Sequence, residues 1–393
     1  MTAATRQFDV IVLGAGAAGL MCAAVAGQRG RRVALLEHNG QVGRKILISG
    51  GGRCNFTNLH CGPENYISDN LHFAKSALAL YEPRHFIELV DRYGIAWHEK
   101  GLGQLFCDHS ARAIVEMLLA ECGRGGVEMV LNARGVEVGG AAGGGFRVAS
   151  SQGEFAAGAL VVATGGLSIP KLGATGLGYE LARRFGLKVV EPRPALVPLV
   201  LGGAEASWTE LAGVSAEVEA GVAGEARFRE KVLVTHRGLS GPAVLQTSSY
   251  WRAGEELVVD LAPGMHVLRE LMAPGARRTE AALKQRLREV LPQRLAGFVA
   301  EAGGPKGWSN AALEECERGL HRWAFHPVRT EGFEKAEVTA GGVDTAGLHA
   351  RTMKARDVPG LFFIGEAVDV TGWLGGFNFQ WAWASGVAAG RAL

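Results

Sequence analysis

A strand–turn–helix–strand unit in residues 8–37 constrains the fold more than any other feature of the sequence. An uncharged apolar run over 10–13 predicts a buried parallel strand. It is followed by GAGAAG at 14–19, an alanine-rich helical stretch and a second apolar run over 33–36. In this order the three glycines permit a tight turn, close approach of a pyrophosphate and close helix–strand packing. The unit therefore predicts an α/β chain with a Rossmann dinucleotide-binding fold.

An acidic residue completes the unit, because Glu37 directly follows the second apolar run. A carboxylate at this position accepts hydrogen bonds from the ribose hydroxyls of an adenosine and repels a 2′-phosphate. The start of the helix offers N–H groups and the positive end of its dipole to phosphates. The residues that we expect to bind the dinucleotide here are Gly14, Gly16, Ala17, Ala18, Gly19, Glu37 and His38.

Three later glycine-containing stretches favour FAD over NAD as the dinucleotide. Apolar runs over 159–163 and 361–364 end in glycines, and a final helical stretch follows Gly375 and Gly376. Strands that end in glycine at a ligand-facing sheet edge can admit a long cofactor. The start of the final helix would stabilise the negative charge that a flavin gains on reduction. No second strand–GxGxxG–helix unit is present, so any NAD(P)H must bind without its own Rossmann module.

Six stretches, in order over nearly the whole chain, resemble the HI0933-like flavoprotein family, also described as BaiN-like or aminoacetone-oxidase-like NAD(P)/FAD-dependent oxidoreductases. They are GAGAAGL, GRKILISGGGRCNFTN, VVATGGLSIPKLGATGLGYELARRFG, LVTHRGLSGPAVLQTSSYW, EVTAGGV and GLFFIGEAVDVTGWLGGFNFQWAWASGVAAG. The resemblance implies an FAD-dependent oxidoreductase. It also implies a glutathione-reductase-type FAD-binding Rossmann domain with an inserted β-rich plus helical region. No residue of the sequence has a context that suggests a covalent flavin link, so we expect FAD to bind non-covalently.

The second of these stretches holds three consecutive glycines, Gly50 to Gly52, although each glycine costs conformational entropy on folding. The resemblance implies that this loop lies against FAD, where side chains would occupy cofactor space. Arg44 or Lys45 would then offset phosphate charge. The strand ends, the final turn and the resemblance together give the further residues that we expect to bind the cofactor: Arg44, Lys45, Ser49, Gly50, Gly51, Gly52, Arg53, Asn55, Val136, Thr164, Gly165, Gly365, Glu366, Asp369, Gly375, Gly376, Phe377, Asn378 and Gln380.

The middle of the chain has the composition of an insertion. Three prolines between 192 and 198 mark an exit from the first domain, and alternating apolar residues over 211–262 predict strands. An apolar stripe at 283, 287 and 291 then predicts a helix. We predict a discontinuous FAD-binding domain over 1–190 and 334–393, and an insert over 191–333 that is β-rich over 191–264, mainly helical over 265–322 and returns through 323–333.

Composition excludes several other classes of protein. The uncharged stretches 10–27 and 370–390 are rich in glycine and are poor membrane spans, so we expect no membrane partner. Six cysteines without a C-x-x-C pair argue against a zinc ribbon or a dithiol flavoenzyme, and they suit a reducing cytoplasm. We find no metal-ligand cluster and no G-x-S-x-G motif, and so expect no metal site.

Three residues are candidates for catalysis: Cys54, His236 and Arg237. Cys54 follows an arginine and could protonate a carbon after hydride delivery, but packing of its thiol against the flavin is an equally good explanation. His236 and Arg237 precede a turn at a predicted helix start and could bind a carboxylate, phosphate or carbonyl. A purely structural turn is the alternative.

The expected function is reduction of an activated C=C or C=N bond with electrons from NAD(P)H. Reduction of uridine to dihydrouridine in ribosomal RNA, an activity attributed to the resembled family, is one alternative, and an aminoacetone-type amine oxidase that uses oxygen is another. A basic face formed by Arg277, Lys284 and Arg288 favours RNA slightly, whereas a net charge of +2 disfavours it. We therefore expect a small- or medium-sized substrate, and RNA only as the second choice; the sequence does not indicate the oligomeric state.

Overall fold

The computed structural model describes residues 5–140 and 144–393. The chain divides into two units, one formed by residues up to 193 together with 338–393, and the other by 194–337. The sequence placed the insert at 191–333, so the observed boundaries lie three residues later at its start and four residues later at its end.

The first segment, up to residue 193, alternates strands with helices. The strands are β1 (Arg6–Leu13), β2 (Val33–Leu36), β3 (Asn55–Asn58), β4 (Tyr66–Ile67), β5 (Trp97–Gly101), β6 (Gln104–Cys107), β7 (Glu128–Val130), β8 (Glu137–Gly140), β9 (Phe146–Ser150), β10 (Gly153–Val162) and β11 (Val189–Ala195). The α-helices are α1 (Ala17–Gln28), α2 (Arg44–Gly52), α3 (Ala74–Leu80), α4 (Pro83–Arg92), α5 (Arg112–Arg124) and α6 (Leu177–Arg184).

The unit formed by 194–337 is an antiparallel sheet followed by helices, with a hydrophobic core of its own. Its strands are β12 (Leu199–Val200), β13 (Ser215–Gly221), β14 (Phe228–Val234), β15 (Gly238–Ser240), β16 (Leu257–Asp260), β17 (Trp323–Phe325) and β18 (Arg329–Thr330). They lie in the order β17-β16-β13-β14-β15-β12-β18. Its helices are α7 (Pro242–Ser248), α8 (Glu280–Arg288), α9 (Gln293–Gly303) and α10 (Asn310–His321). The predicted apolar stripe is buried at Leu283, Leu287 and Leu291.

The last segment returns to the first unit. It contributes β19 (Val338–Val343), β20 (Leu361–Phe363), β21 (Thr371–Gly372) and α11 (Phe377–Ala392). Small residues let α11 lie close to α1, because a Cβ atom at Gly386 would come within 2.7 Å of the carbonyl oxygen of Ala18. The two uncharged stretches thus resolve into a strand with a helix and a turn with a helix. No helix in residues 5–140 and 144–393 is long and apolar enough to span a membrane.

The strand order in the main sheet of the first unit determines which edge of the sheet can bind a ligand. Its parallel strands lie in the order β7-β2-β1-β10-β20, and β9 and β8 continue antiparallel from the first half of β10. The strands β1 and β2 are buried where they pair, which explains their continuous apolar runs. Because β1 lies between β2 and β10, the strand order reverses there, and such a switch point opens a crevice at the carboxyl ends of the strands.

Candidate active site

The three glycines of the turn after β1 differ in what a side chain would meet at each position. Gly14 has φ +102°, and a Cβ atom there would lie 2.5 Å from the carbonyl oxygen of Ala163. A Cβ atom at Gly19 would overlap the carbonyl oxygen of Gly14. At Gly16, by contrast, a Cβ atom would meet no protein atom within 4 Å, and no side chain caps the first turn of α1. The turn therefore leaves open space and N–H groups at the position where a pyrophosphate would bind.

Glu37 is buried at the carboxyl end of β2, and its carboxylate closes the glycine turn. Its Oε2 accepts a hydrogen bond of 2.9 Å from the backbone N–H of Ala15, and Oε1 accepts from the backbone and side chain of Asn39 at 2.9 and 3.0 Å. His38, the other residue predicted at this position, has Nδ1 3.2 Å from Glu37 Oε1. Oε1 already accepts two hydrogen bonds, whereas Oε2 accepts one and can accept another, so one carboxylate oxygen is available to a ribose hydroxyl.

The ends of β10 and β20 are joined by a polar network centred on Glu366. Lys45 Nζ lies 2.6 Å from Glu366 Oε2 and donates to Ser168 Oγ at 2.6 Å. Glu366 Oε1 accepts from Ser168 Oγ and from the backbone N–H of Thr339, both at 2.9 Å. A Cβ atom at Gly165 would lie 4.0 Å from Glu366, so this network lies directly beside the glycine end of β10.

Arg44 and Lys45 are both engaged by protein groups in this structure. Arg44 Nη1 donates to Asn39 Oδ1 at 2.9 Å and to the carbonyl oxygen of Leu172 at 3.0 Å, which ties the start of α2 to the loop after β10. Lys45 is paired with Glu366. A direct role of either cation in offsetting phosphate charge therefore stays a prediction, and their described contacts fix the loops that form the site.

The three consecutive glycines break α2 at its carboxyl end. Ser49 is extended, with ψ 149°, and Gly50, Gly51 and Gly52 all have positive φ angles, between +57° and +84°. A Cβ atom at Gly50 would lie 2.8 Å from the ring of Phe106, so protein packing excludes a side chain there. Gly51 and Gly52 have no such neighbour. All three glycines thus allow the left-handed backbone conformation that they adopt, and the last two also leave open space beside the backbone.

Cys54 follows this triplet and is completely buried, whereas its neighbour Arg53 is exposed. Burial raises the pKa of the Cys54 thiol far above its ordinary value. Its backbone is left-handed, with φ 50°, and its N–H donates to the carbonyl oxygen of Ser49 at 3.0 Å. A thiol that is covered by protein atoms has no described route to a substrate carbon. Its catalytic role stays a prediction, and its position favours the alternative of packing.

Alkylation should report this burial directly. We expect iodoacetamide to modify Cys54 only as fast as the folded protein opens, because neither access nor thiolate is available in the folded state. Half-buried Cys61 is the internal control, since burial raises the pKa of its thiol only to about 11. Its labelling should rise about tenfold for each pH unit below that value. Mass spectrometry of peptides follows the labelling of both cysteines. If Cys54 were labelled as fast as Cys61, the thiol of Cys54 would not be buried as described.

The turn before α11 is held by side chains that the resemblance had placed at the cofactor. Asn378 accepts from the backbone N–H of Gly372 and donates back to its carbonyl oxygen, both at 2.8 Å. Gln380 is fully buried; it accepts from Thr57 Oγ1 and donates to the carbonyl oxygen of Tyr81, both at 2.7 Å. These amides shape the turn, and Phe377 packs in the core behind it. The N–H groups of the first turn of α11 follow Gly376, whose φ is +98°.

Two predicted cofactor residues lie elsewhere in the same unit. Asp369 is buried, and desolvation raises the pKa of its carboxyl group although it accepts a hydrogen bond of 2.9 Å from the backbone N–H of Asp69. Val136 is half-buried between β7 and β8 and packs against the core. Contact of either residue with FAD stays a prediction.

Buried hydroxyls without partners show that the site has unmet hydrogen-bonding capacity. In the described part of the chain, Thr164 Oγ1 and Tyr179 Oη are buried and have no hydrogen-bond partner. Tyr179 lies on α6, whose Gly178 faces Thr164 so closely that a Cβ atom would overlap its hydroxyl oxygen. Burial, and then the charges of Glu366 and Asp369, raise the pKa of the Tyr179 phenol. With the open cradle at Gly16, these residues fit FAD.

Sequence reasoning missed Tyr179, Ser168 and Thr339. The stretch GATGLGYELARRFG that contains Tyr179 was part of the family resemblance, but its glycine order argued against a second dinucleotide site. The hydroxyl of Thr339 accepts hydrogen bonds from the backbone N–H groups of Leu167 and Ser168 at 2.8 and 3.1 Å, although Thr339 lies far from both residues in the sequence. Only the fold brings such residues together.

The remaining catalytic candidates belong to the other unit. His236 and Arg237 are exposed in the turn between β14 and β15, where Thr235 Oγ1 accepts from the N–H groups of Arg237 and Gly238. Arg237 Nη1 lies 3.5 Å from Glu331 Oε2. Both residues lie outside the unit that contains Cys54 and the glycine turns, and their role at the substrate stays a prediction.

The basic face predicted in this unit is weaker than the sequence suggested. Helix α8 begins at Glu280 after its N-cap, Thr279, so Arg277 lies outside the helix and the prediction of one shared face is wrong. Lys284 pairs with Glu280 and Glu301 at 2.8 and 3.1 Å. The local charge therefore gives RNA binding little support.

The fit to FAD leads to a direct test. We expect the purified chain to be yellow and to release intact FAD on denaturation, because the site offers hydrogen bonds and open space but no residue in a context that suggests a covalent link. Mass spectrometry of the released flavin, with the Gly16→Ala chain as the matched control, makes the measurement. A flavin that stays attached to a peptide, or a chain that neither contains nor takes up FAD, would contradict the expectation.

Comparison with known proteins agrees with this fold. The model of a protein family described as "HI0933-like protein Rossmann domain" matches residues 8–392. The chain is 48% identical to a ribosomal RNA dihydrouridine synthase of Escherichia coli (strain K12), over 99% of this chain and 98% of that protein. It is 43% identical to a protein of the same name from Haemophilus influenzae, over 99% of both chains.

More distant similarities show the shared architecture. A 3-dehydro-bile acid delta(4,6)-reductase of Clostridium scindens is 29% identical, over 97% of this chain and 98% of that protein. Among solved structures, a 3-ketosteroid-delta4-(5alpha)-dehydrogenase of Rhodococcus jostii RHA1 is similar with a TM-score of 0.50 at 15% identity, over 98% of this chain and 97% of that one. At that identity the likeness concerns the fold alone. Together with the strand order and the glycine turns, the full-length match shows that this chain belongs to the HI0933-like family of FAD-dependent oxidoreductases.

Proposed function

We propose that this enzyme reduces the C5=C6 bond of a uridine in ribosomal RNA to give dihydrouridine, with NAD(P)H as the electron donor. The observation that carries the proposal is full-length similarity, at 48% and 43% identity, to two ribosomal RNA dihydrouridine synthases. It moves RNA from second choice to first choice among the substrates. The net reaction adds a hydride to one carbon and a proton to the other, and NAD(P)H is oxidised to NAD(P)⁺. Such a substrate would place the reaction in the cytoplasm.

The residues of the first unit have separable tasks under this proposal. When bound, FAD supplies hydride transfer. The open cradle at Gly16 and the first turn of α1 would hold its pyrophosphate, and Glu37 would hold the ribose of its adenosine. The network of Lys45, Glu366 and Ser168 would keep the ends of β10 and β20 in place. The start of α11 would stabilise negative charge at a neighbouring ring.

The proton donor is a separate question. Cys54 keeps its proton over the working pH range of an enzyme, because burial raises its pKa, but the same burial separates it from substrate. We therefore assign Cys54 to packing in this proposal. His236 and Arg237 stay candidates for binding the substrate carbonyl or a phosphate.

A second candidate function is reduction of an enone in a small molecule, which the similarity to a bile-acid reductase favours. A uracil and an enone both place a carbonyl beside the carbon–carbon double bond, so one arrangement of donors can activate either. RNA is placed first because the identity to the RNA enzymes is higher, 48% against 29%, over a similar share of the chain.

The test is to incubate purified holoenzyme with unmodified ribosomal RNA and NADH or NADPH without oxygen, then to measure dihydrouridine by mass spectrometry of nucleosides. Gly16→Ala is the matched control, because it should weaken FAD binding while the fold stays; it is assayed after gel filtration without added FAD. We expect dihydrouridine with the wild-type chain, and less of it with Gly16→Ala in proportion to the FAD that this variant has lost. Turnover of enones without any change in RNA would favour the second function. Rapid reoxidation by oxygen with steady turnover of aminoacetone would favour an amine oxidase and contradict the proposal.

A further inference from the structure

Two side-chain amides meet at the start of α11, on a small sheet in the order β3-β6-β5. Asn55 begins β3 and Gln104 begins β6. Asn55 Nδ2 donates a hydrogen bond of 3.0 Å to Gln104 Oε1. An amide carries one acceptor oxygen and a donor nitrogen, so this bond leaves Asn55 Oδ1 as an acceptor and Gln104 Nε2 as a donor. One amide–amide hydrogen bond thus fixes which end of each side chain stays available.

Neither remaining end is used by the protein that the structure describes. Asn55 Oδ1 is buried without a hydrogen-bond partner. Gln104 Nε2 donates to none of the described residues. Buried polar groups are nearly always hydrogen-bonded, so an acceptor without a partner in a cofactor site needs an explanation. Nearby amides behave differently: Asn378 and Gln380 each use both ends within the protein.

Both ends of this pair lie against the backbone of the glycine turn, where an added side chain would contact them. A Cβ atom at Gly376 would lie 2.9 Å from Asn55 Oδ1, and one at Gly375 would lie 3.3 Å from Gln104 Nε2. Both glycines have positive φ angles, +118° at Gly375 and +98° at Gly376. The acceptor and the donor therefore lie along the same short turn, next to the first N–H groups of α11.

We infer that Asn55 and Gln104 bind the imide edge of a pyrimidine ring. An acceptor beside a donor is the complement of an N–H beside a C=O, whereas a phosphate or carboxylate would require donors alone. Two rings in the proposed reaction carry this edge: the uracil of the substrate and the pyrimidine part of the flavin. The chemistry is shared, and the experiment distinguishes the two sources. The uracil arm rests on the proposed function; the flavin arm does not.

The experiment uses the full-length holoenzyme with two substitutions. Gln104→Glu keeps an oxygen for Asn55 Nδ2 and replaces only the free donor by an acceptor, and Gln104→Leu removes both. Gln152→Glu, the same chemical change in the exposed turn between β9 and β10, is the matched control for added charge. Thermal unfolding of each variant establishes that it is folded. The probes are FAD itself, a uridine-containing ribosomal RNA fragment, and the same fragment with N3-methyluridine.

If the pair binds uracil, KM for the RNA should rise about tenfold or more in both Gln104 variants. The FAD dissociation constant, the flavin absorbance and the rate of flavin reduction by NAD(P)H should stay unchanged. The wild-type chain should also reject N3-methyluridine. If the pair binds the flavin, the dissociation constant should rise about tenfold and the absorbance spectrum should shift, with the midpoint potential moving to lower values.

A null result has a single meaning in this design. Folded Gln104 variants that match the wild type in FAD affinity, flavin spectrum and KM for RNA would overturn the inference, and the pair would be a structural contact. A wild-type chain that makes no dihydrouridine would contradict the proposed function instead, and the flavin measurements would still decide the role of the pair.

Discussion

Replacing Gly19 with alanine should prevent stable folding of the FAD unit, whereas replacing Gly16 with alanine should keep the fold and weaken FAD binding. A Cβ atom at Gly19 overlaps the carbonyl oxygen of Gly14, and backbone atoms cannot rotate away as side chains do. We expect a loss of at least about 3 kcal/mol in the free energy of unfolding, the upper part of the range for overpacking. At Gly16 no protein atom lies within 4 Å, so the stability cost should stay below about 1 kcal/mol.

The two variants are each other's control, since the chemical change is the same and the positions are three residues apart. Chemical unfolding gives the stability, and fluorescence titration of the deflavinated full chain gives the FAD dissociation constant. For Gly16→Ala we expect that constant to rise at least about tenfold, which is about 1.4 kcal/mol. Equal stabilities would contradict the steric argument at Gly19, and wild-type FAD affinity in Gly16→Ala would show that the pyrophosphate does not bind at this turn.

The second large effect is expected at the ion pair between Lys45 and Glu366. Their side chains are 33% and 19% exposed, so the pair is partly shielded from water. Lys45→Met leaves Glu366 with neutral donors only, and Glu366→Gln leaves Lys45 without an anion. Each substitution should cost about 2 to 4 kcal/mol of stability, somewhat less than the loss of one partner from a fully buried pair.

A double-mutant cycle separates the pair from its surroundings. We expect the double variant to recover at least about 1 kcal/mol relative to the sum of the single changes, because it leaves no unpaired charge. Melting measurements on the four chains give the coupling. The exposed pair of Arg229 with Glu217 is a suitable control, with a coupling below about 0.5 kcal/mol. A coupling of that size at Lys45 and Glu366 would mean that the network is held by Ser168 and Thr339 alone.

Local sequence patterns predicted the sheet edge well because each strand end is encoded next to its strand. The apolar run, the three glycines and Glu37 lie within thirty residues, so the short-range rules for strands and helix starts apply directly. The fold class and the family were confirmed by the full-length match. The contacts of individual side chains could not be foreseen, because they depend on which distant segment packs beside them.

Lys45 and Cys54 illustrate that limit. A lysine beside a glycine loop suggests a phosphate partner, but its partner here is a carboxylate 321 positions away in the chain. A cysteine after an arginine suggests a lowered pKa, but burial raises it, because the backbone path after Gly52 directs the thiol into the core. Helix α8 is a third case: the periodicity was correct from Leu283 onward, and the N-cap at Thr279 excluded Arg277.

The place of β20 and α11, far along the sequence from β10 and α1, has a consequence for biosynthesis. As the ribosome makes the protein from its first residue, β10 emerges long before β20, and α1 before the α11 helix that lies against it. Until then β10 has an unpaired edge over Leu160–Val162 and α1 has an apolar face without cover. The turn before α11 cannot close until residues 361–392 have been made, and a chain without them is a natural substrate for chaperones and proteases.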